Sequence, residues 1–424
     1  MIPSLAALVF VMSYVLIALE TKFKISKAAV ALSAGGLIWI LLALWNPTGV
    51  ESLIAHAGSE LFNLVAFLLA AMSLVEIAGH YRLFDFIREK LCSYNLSLVA
   101  QFFAFMIVAF FLSAFLDNLT TTIVMIQIAR KFFWNRNLLV VAAGIVISAN
   151  AGGAFSPIGD VTTIMLWLAD KFTAVEIIMY GFVPSFLSLA VSALMLSRKL
   201  APEVSVRTGD EPCKVTMTTS ERTVLLLVAL SFLMPIMVKT VHLPPVLGIL
   251  FGLGITWMSI DLFKRVGKGE SHLTASIEHL IQKADLGSIK FFIGILLAVS
   301  ALGSLGVLDK VSDFLYGDGA SFARVAVGNM SLGMASAVLD NIPLTAIAIE
   351  ILEVVDVQLW VLLALCVGIG GSILSLGSAA GVVAMGMVKE LTFEAYFKIA
   401  SLPAFVGFAT ACFIWWLQHM LLVL

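Results

Sequence analysis

Long apolar segments recur along the whole chain, and they constrain its fold more than any other feature. Eight uninterrupted segments can be placed by hydropathy, at 3–19, 28–45, 61–79, 175–197, 223–238, 245–260, 291–308 and 399–422. A helix of about 20 residues is about 30 Å long, which matches the hydrocarbon core of a bilayer. Only 12% of the 424 residues are charged, against about 25% in soluble proteins. The sequence therefore predicts an all-α polytopic membrane protein that contacts the lipid bilayer.

Charged residues between these segments predict how the chain is oriented. Lysine and arginine cluster in alternate loops, at 22–27, 82–90, 198–222 and 264–283. Loops of this kind face the cytoplasm. The loop that holds Glu51 and Glu60 is poor in basic residues, so we expect it and the amino terminus to lie outside. A surface helix is also expected at 271–282, where apolar residues fall on one face.

The tripeptide Leu-Asp-Asn occurs twice, at 116–118 and 339–341, each time between a long and a short apolar run. The short run at 119–129 would form a helix of about 16 Å, which is too short to cross the membrane. Basic residues flank the pair of apolar runs around 116–118 at both ends, whereas acidic residues flank the pair around 339–341. We therefore expect two re-entrant hairpins, with tips at 117–118 and 340–341, that enter from opposite sides.

An interrupted apolar segment follows each hairpin. The first, 138–169, contains glycine and proline across 150–160, and the second, 359–388, has glycines and serines across 370–378. Irregular backbone at membrane depth survives where it lines a cavity or is buried in protein. The two segments are therefore predicted to be broken helices.

These features predict an inverted-repeat transporter with about ten transmembrane helices, two of them broken. The spacing between the two Leu-Asp-Asn copies nearly equals the spacing between the glycine pairs of the two breaks, at 152–153 and 370–371. The expected organisation is scaffold helices at 1–60, a first repeat at 61–197, a linker with central helices at 198–290 and a second repeat at 291–424.

Side chains at the hairpin tips and in the breaks offer a cation the oxygen ligands that Na⁺ prefers. A carboxylate can also alternate between a proton and Na⁺, which suffices for exchange. The candidate ligands for Na⁺ are Asp117, Asn118, Thr120, Asn150, Ser156, Asp160, Thr163, Asp340, Asn341, Thr345, Ser372, Ser375 and Ser378. The candidate proton carriers are Asp117, Asp160, Asp340 and Glu76.

Two alternatives for these residues stay open. Aspartate and asparagine also cap helix amino termini, which would explain Asp117, Asp160 and Asp340 without any ion. Glu76 has His80 one turn later, and both could simply be solvated at the membrane boundary.

The stretches 113–122, 148–163 and 339–344 resemble the NhaD-type sodium/proton antiporters of the ion transporter superfamily. The resemblance implies exchange of Na⁺, and also Li⁺, for H⁺ across a bacterial inner (cytoplasmic) membrane. It also implies a homodimer; we expect no cofactor and no nucleic-acid partner. Two positions depart from the family, since Phe155 stands where tryptophan is common and Ile164 where a threonine is common.

Two rival functions are weaker. A sodium-coupled carboxylate or oxyanion transporter of the same superfamily must attract an anion, but the three aspartates would repel one and no lysine or arginine lies inside a span. An intramembrane aspartyl protease would also use paired aspartates, but Pro157 interrupts its Gly-x-Gly-Asp motif before Asp160. The sequence therefore favours a secondary transporter over an enzyme.

Overall fold

The chain folds as helices joined by short connections. The computed structural model describes residues 2–18, 20–47, 49–93, 96–201, 217–266, 285–317, 321–354 and 356–423. Within those ranges no strand is present, and eight helices are long and apolar enough to cross a membrane. The predicted all-α polytopic class is confirmed. The surface helix expected at 271–282 lies outside the described residues.

The helices are numbered here in chain order. They are α1 (Ile2–Ala18), α2 (Glu20–Phe23), α3 (Lys27–Trp45), α4 (Val50–His80), α5 (Leu83–Ser93), α6 (Leu98–Ser113), α7 (Asn118–Ala129), α8 (Asn135–Ala154), α9 (Val161–Leu168), α10 (Ala174–Ser197), α11 (Thr219–Thr240), α12 (Pro245–Val266), α13 (Leu286–Ser304), α14 (Asp309–Leu315), α15 (Phe322–Ala335), α16 (Asn341–Ile351), α17 (Val357–Gly370), α18 (Ala379–Met387), α19 (Phe393–Tyr396) and α20 (Leu402–Val423). They form two compact units, Met1–Tyr94 with Glu211–Val307, and Asn95–Asp210 with Leu308–Leu424.

Both Leu-Asp-Asn copies belong to the second unit, where each begins a short helix. Asp117 caps α7, and its Oδ1 accepts a hydrogen bond from the Thr120 N–H at 2.7 Å. Asp340 caps α16 by accepting from the Ile342 N–H at 3.2 Å. The two helices have 12 and 11 residues, or about 17 Å, far short of the hydrocarbon thickness.

The two broken segments differ in where the helix stops. The first helix of the first segment, α8, continues to Ala154, so the predicted break at 150–160 is wrong at its start and the actual break covers 155–160. Packing explains the difference, because α8 is buried over most of its length and tertiary contacts override the low helix propensity of glycine. In the second segment, α17 ends at Gly370 and α18 begins at Ala379.

Glycines let each hairpin approach its broken helix through backbone contact. A Cβ on Gly152 would collide with the carbonyl of Phe110, and a Cβ on Gly370 would collide with the carbonyl of Gly333. Gly152 and Gly370 are equivalent positions of the sequence repeat, and their partners Phe110 and Gly333 have the same spacing as the two Leu-Asp-Asn copies. The same local contact therefore occurs in both halves of the second unit, Asn95–Asp210 and Leu308–Leu424.

In the first unit, helix α4 is longer than predicted. It begins at Val50 and has 31 residues, or about 46 Å, so Glu51 and Glu60 lie on the helix and not in a loop. Residues 50–60 include several polar side chains, so the hydropathy pattern did not predict this part of the helix. They face away from the protein interior, and His56 Nε2 lies 3.4 Å from Glu60 Oε1 one turn later.

Helices α3 and α13 of the first unit touch through their backbones. A Cβ on Gly35 would lie 2.6 Å from the Gly294 carbonyl oxygen, and a Cβ on Gly294 would collide with the backbone of Ala31 and Leu32. Residues without a side chain are needed for so close an approach. The neighbouring Gly36 is exposed, and a Cβ there would meet no described atom within 4 Å.

We predict that Gly35→Ala lowers the free energy of unfolding by about 1–3 kcal/mol, because the added methyl group overpacks the α3–α13 contact. The adjacent Gly36→Ala is the matched control, and it should be neutral or stabilise by up to about 1 kcal/mol through helix propensity. Thermal unfolding of the purified protein in detergent measures both. Equal unfolding midpoints for the two variants would contradict the backbone contact.

Candidate functional site

Five buried side chains of the second unit form one hydrogen-bonded group, which we call the polar network. Asn118 Nδ2 donates to Asn150 Oδ1 at 3.0 Å and to Asp160 Oδ2 at 3.1 Å. Asn150 Nδ2 in turn lies 2.9 Å from the hydroxyl oxygens of both Ser372 and Ser378. The network therefore joins the tip of the first hairpin to both broken segments.

Asp160 is the carboxylate of the polar network, and it is 3% exposed. It caps α9, since its Oδ1 accepts from the Thr162 N–H at 3.2 Å and Thr163 Oγ1 donates to its carbonyl at 2.8 Å. These donors and the Asn118 amide are neutral, whereas Asp117 and Asp340 act on Asp160 electrostatically. A buried carboxylate in such surroundings is costly when ionised unless a proton or a cation neutralises it.

Asp117 and Asp340 are half-buried and act as helix caps. Besides the capping bond described above, Asp117 Oδ2 accepts a hydrogen bond from Thr120 Oγ1 at 2.6 Å. The geometry therefore agrees with the alternative that these aspartates cap helices. It does not exclude ion binding, because a carboxylate offers about four lone-pair sites and capping uses only some of them.

Three other predicted ligands are serine or threonine residues, and of these Ser156 joins the first break to the first hairpin. Ser156 Oγ donates to the Ala114 carbonyl at 2.5 Å, and Thr345 Oγ1 donates to the Asn341 carbonyl at 3.0 Å. Ser375 is buried and has a φ of 62°, a left-handed conformation that is uncommon for a residue with a side chain. A hydroxyl that donates its hydrogen keeps its lone pairs, so these oxygens could still accept a cation.

Glu76 belongs to a different unit from the other candidates. It is half-buried on α4, in the unit Met1–Tyr94 with Glu211–Val307. All the other candidate ligands belong to the second unit.

Two serines of the site were missed by sequence reasoning. Ser113 Oγ donates to the Ala149 carbonyl at 2.6 Å, and Ser336 Oγ donates to the Val367 carbonyl at 2.7 Å. Each fastens the turn of its hairpin to the broken helix beside it. The signal was present in the sequence, because Ser-Ala-x-Leu-Asp-Asn recurs at 113–118 and 336–341, so the repeated motif is three residues longer than the tripeptide.

Comparison with known proteins gives matches over nearly the whole chain. The family model described as citrate transporter (CitMHS) matches residues 14–368. Sodium/proton antiporter 2 of Arabidopsis thaliana is 35% identical over 417 residues, which cover 95% of this chain and 96% of that protein. The Na⁺/H⁺ antiporters NhaD of Alkalimonas amylolytica and Vibrio cholerae are 32% and 30% identical, cover 94% and 93% of this chain, and are each covered over 87% of their own length.

We predict that Ser336→Ala lowers the free energy of unfolding by about 1–3 kcal/mol, because it removes a buried hydroxyl within hydrogen-bond distance of the Val367 carbonyl and Asn341 Oδ1. Ser331→Ala is the matched control, since Ser331 is exposed and bonds only one turn back, to the Val327 carbonyl. It should change stability by less than about 0.5 kcal/mol. Denaturation in detergent compares the two variants, and a similar small effect from both would rule out the fastening role.

Proposed function

This chain belongs to the citrate transporter family and, within it, to the NhaD-type antiporters, and from that premise we propose that it exchanges Na⁺ for H⁺ across the membrane. The observation that carries the proposal is the environment of Asp160. This carboxylate is buried, its hydrogen-bond donors are neutral, and two further carboxylates act on it. A site with this charge favours a cation or a proton.

Exchange follows from competition at the same carboxylates. Na⁺ binds to the ionised form and a proton converts that form to the neutral acid, so each ion displaces the other. We place the cation between the first hairpin tip and the first break, with Asp117, Asn118 and Asp160 as the central ligands. Asp340 then serves as a further ligand or as the proton carrier. Transport requires the loaded site to face the two sides of the membrane in turn.

An anionic substrate suits this site less well. Two like charges 4 Å apart repel by about 4 kcal/mol at an effective dielectric constant of 20. A di- or tricarboxylate bound beside Asp160 would be repelled by it, and also by Asp117 and Asp340, whose charges act on Asp160. The Na⁺ and H⁺ assignment is also the function printed in the names of the Arabidopsis, Alkalimonas and Vibrio relatives.

Finer features of the proposal rest on the sequence. The oxygen ligands suit Li⁺ as well as Na⁺, since both are hard cations. The basic residues of α5 and its flanks, Arg82, Arg88 and Lys90, favour a cytoplasmic location for that region and an amino terminus outside. The resemblance to NhaD-type proteins supports the inner (cytoplasmic) membrane, a lipid-embedded chain and a homodimer.

The antiport proposal predicts that NaCl or LiCl dissipates a pH gradient in inverted vesicles that contain the protein. The responses of Asp117→Asn, Asp160→Asn and Asp340→Asn should fall at least about tenfold, because each loses a charge worth about 1.4 kcal/mol or more of cation binding. A pH-sensitive dye measures the rate of dissipation at a series of cation concentrations.

Asp356→Asn is the matched control for the loss of a capping carboxylate. Asp356 is exposed and caps α17 by accepting from the Gln358 N–H at 2.9 Å, as Asp340 does for α16. It should transport like the wild type. Citrate or succinate uptake by the wild type without any Na⁺ or Li⁺ response would refute antiport. Wild-type responses in all three site variants would refute the site assignment alone.

Competition between H⁺ and Na⁺ makes a second prediction. The half-saturating Na⁺ concentration should fall as the pH rises from about 6.5 to about 8.5, by up to about tenfold per pH unit while the site carboxylates are mostly protonated. The maximal rate at saturating Na⁺ should change less. Transport assays with equal pH on both sides of the membrane measure both quantities. A half-saturating concentration that stays constant over this range would indicate separate sites for the two ions.

A further inference from the structure

Tyr396 contacts the second broken segment from outside the polar network. The tyrosine is 0% exposed, and its hydroxyl donates to the Ser372 carbonyl at 2.6 Å. The side chain of the same serine accepts a hydrogen bond from Asn150. Ser372 is therefore held on two sides, through its backbone by Tyr396 and through its hydroxyl by the network.

The helix that carries Tyr396 changes form directly after it. Residues Phe397–Ser401 form a π-helical turn, a rare conformation that is found frequently at functional sites. Pro403 follows this turn and has no N–H to donate. Pro403 therefore cannot donate to the Ile399 carbonyl, its partner in an α-helical pattern, or to the Lys398 carbonyl, its partner in a π-helical pattern.

Lys199 supplies a donor in place of the absent Pro403 N–H. Its ammonium group donates to the Lys398 carbonyl at 2.9 Å and to the Ile399 carbonyl at 2.7 Å. Lys199 follows the end of α10 and so belongs to the first half of the second unit, Asn95–Asp210. It therefore completes the π-helical turn of the second half, Leu308–Leu424.

The corresponding position in the first half lacks the hydroxyl. Threonine caps both α10 and α19, at Thr173 and Thr392, and a proline follows each cap eleven residues later. In this alignment Ile177 of α10 corresponds to Tyr396, and α10 is α-helical from Ala174 to Ser197. The tyrosine and the π-helical turn therefore distinguish the second half from the first.

We infer that Tyr396 is a positioning residue for the second broken segment. We also infer that Lys199 maintains the π-helical turn and thereby the position from which the Tyr396 hydroxyl contacts Ser372. The inference rests on the proposed function, because Ser372 is one of the candidate ligands. Without the tyrosine hydroxyl, the Ser372 carbonyl loses a donor and the oxygens of this break are less well ordered. Cation affinity should then suffer more than the maximal rate, and the discrimination between ions of different radius should change.

Tyr396→Phe tests the inference, with Tyr316→Phe as the matched control. Tyr316 lies in the same unit, is 3% exposed and donates to Asn329 Oδ1 at 3.0 Å, away from the candidate ligands. For Tyr396→Phe we expect a roughly fivefold rise in half-saturating Na⁺, the size expected for one lost hydrogen bond. The maximal rate should stay within about twofold of the wild type, and the ratio of the Na⁺ to the Li⁺ half-saturating concentration should change at least about twofold.

Lys199→Met provides a second, independent test, because it keeps the length of the side chain and removes the ammonium donor. It should shift the half-saturating Na⁺ and the Na⁺ to Li⁺ ratio in the same direction as Tyr396→Phe, and it carries the test if Tyr396→Phe does not accumulate in the membrane. Wild-type values in these variants, or equal shifts in Tyr396→Phe and Tyr316→Phe, would overturn the inference while the antiport proposal stands. A wild-type protein that responds to neither Na⁺ nor Li⁺ overturns the proposed function, and the inference with it.

Discussion

The hydrogen bond between the Asn118 amide and the Asp160 carboxylate is the interaction on which the second unit depends. It places an ionisable group in the interior and connects that group to a hairpin tip. An asparagine amide can satisfy a buried acceptor without neutralising its charge. The carboxylate consequently keeps its need for a proton or a cation, and Asn150 transmits its position to Ser372 and Ser378 in the other broken segment.

The glycines make this arrangement geometrically possible. Gly152 and Gly370 remove the side-chain layer between a hairpin and its broken helix, so the polar groups of both can meet. Ser113 and Ser336 then fasten each turn to a neighbouring carbonyl. Close backbone approach and these hydrogen bonds therefore act together to hold each hairpin against its broken helix.

Much of this architecture could be predicted from length and composition. Residues 119–129 are too few to cross a bilayer, and glycine and proline mark the broken segments whatever the packing is. Tertiary packing decided the rest. It extends α8 to Ala154 across two glycines, and it brings Asn150 to Ser372 over 222 residues of chain. Helix α4 begins eleven residues before its apolar segment because helix propensity does not require apolar side chains, and glutamate is among the good helix formers.

The backbone contact between α3 and α13 has a mechanical consequence for the first unit. Packed helices slide past one another when interdigitated side chains change rotamers in small steps. Where Gly35 meets Gly294, no side-chain layer is present to absorb such a displacement. Sliding α3 along α13 at that point would press backbone against backbone, so we expect changes of shape within the first unit to arise at its other helix contacts.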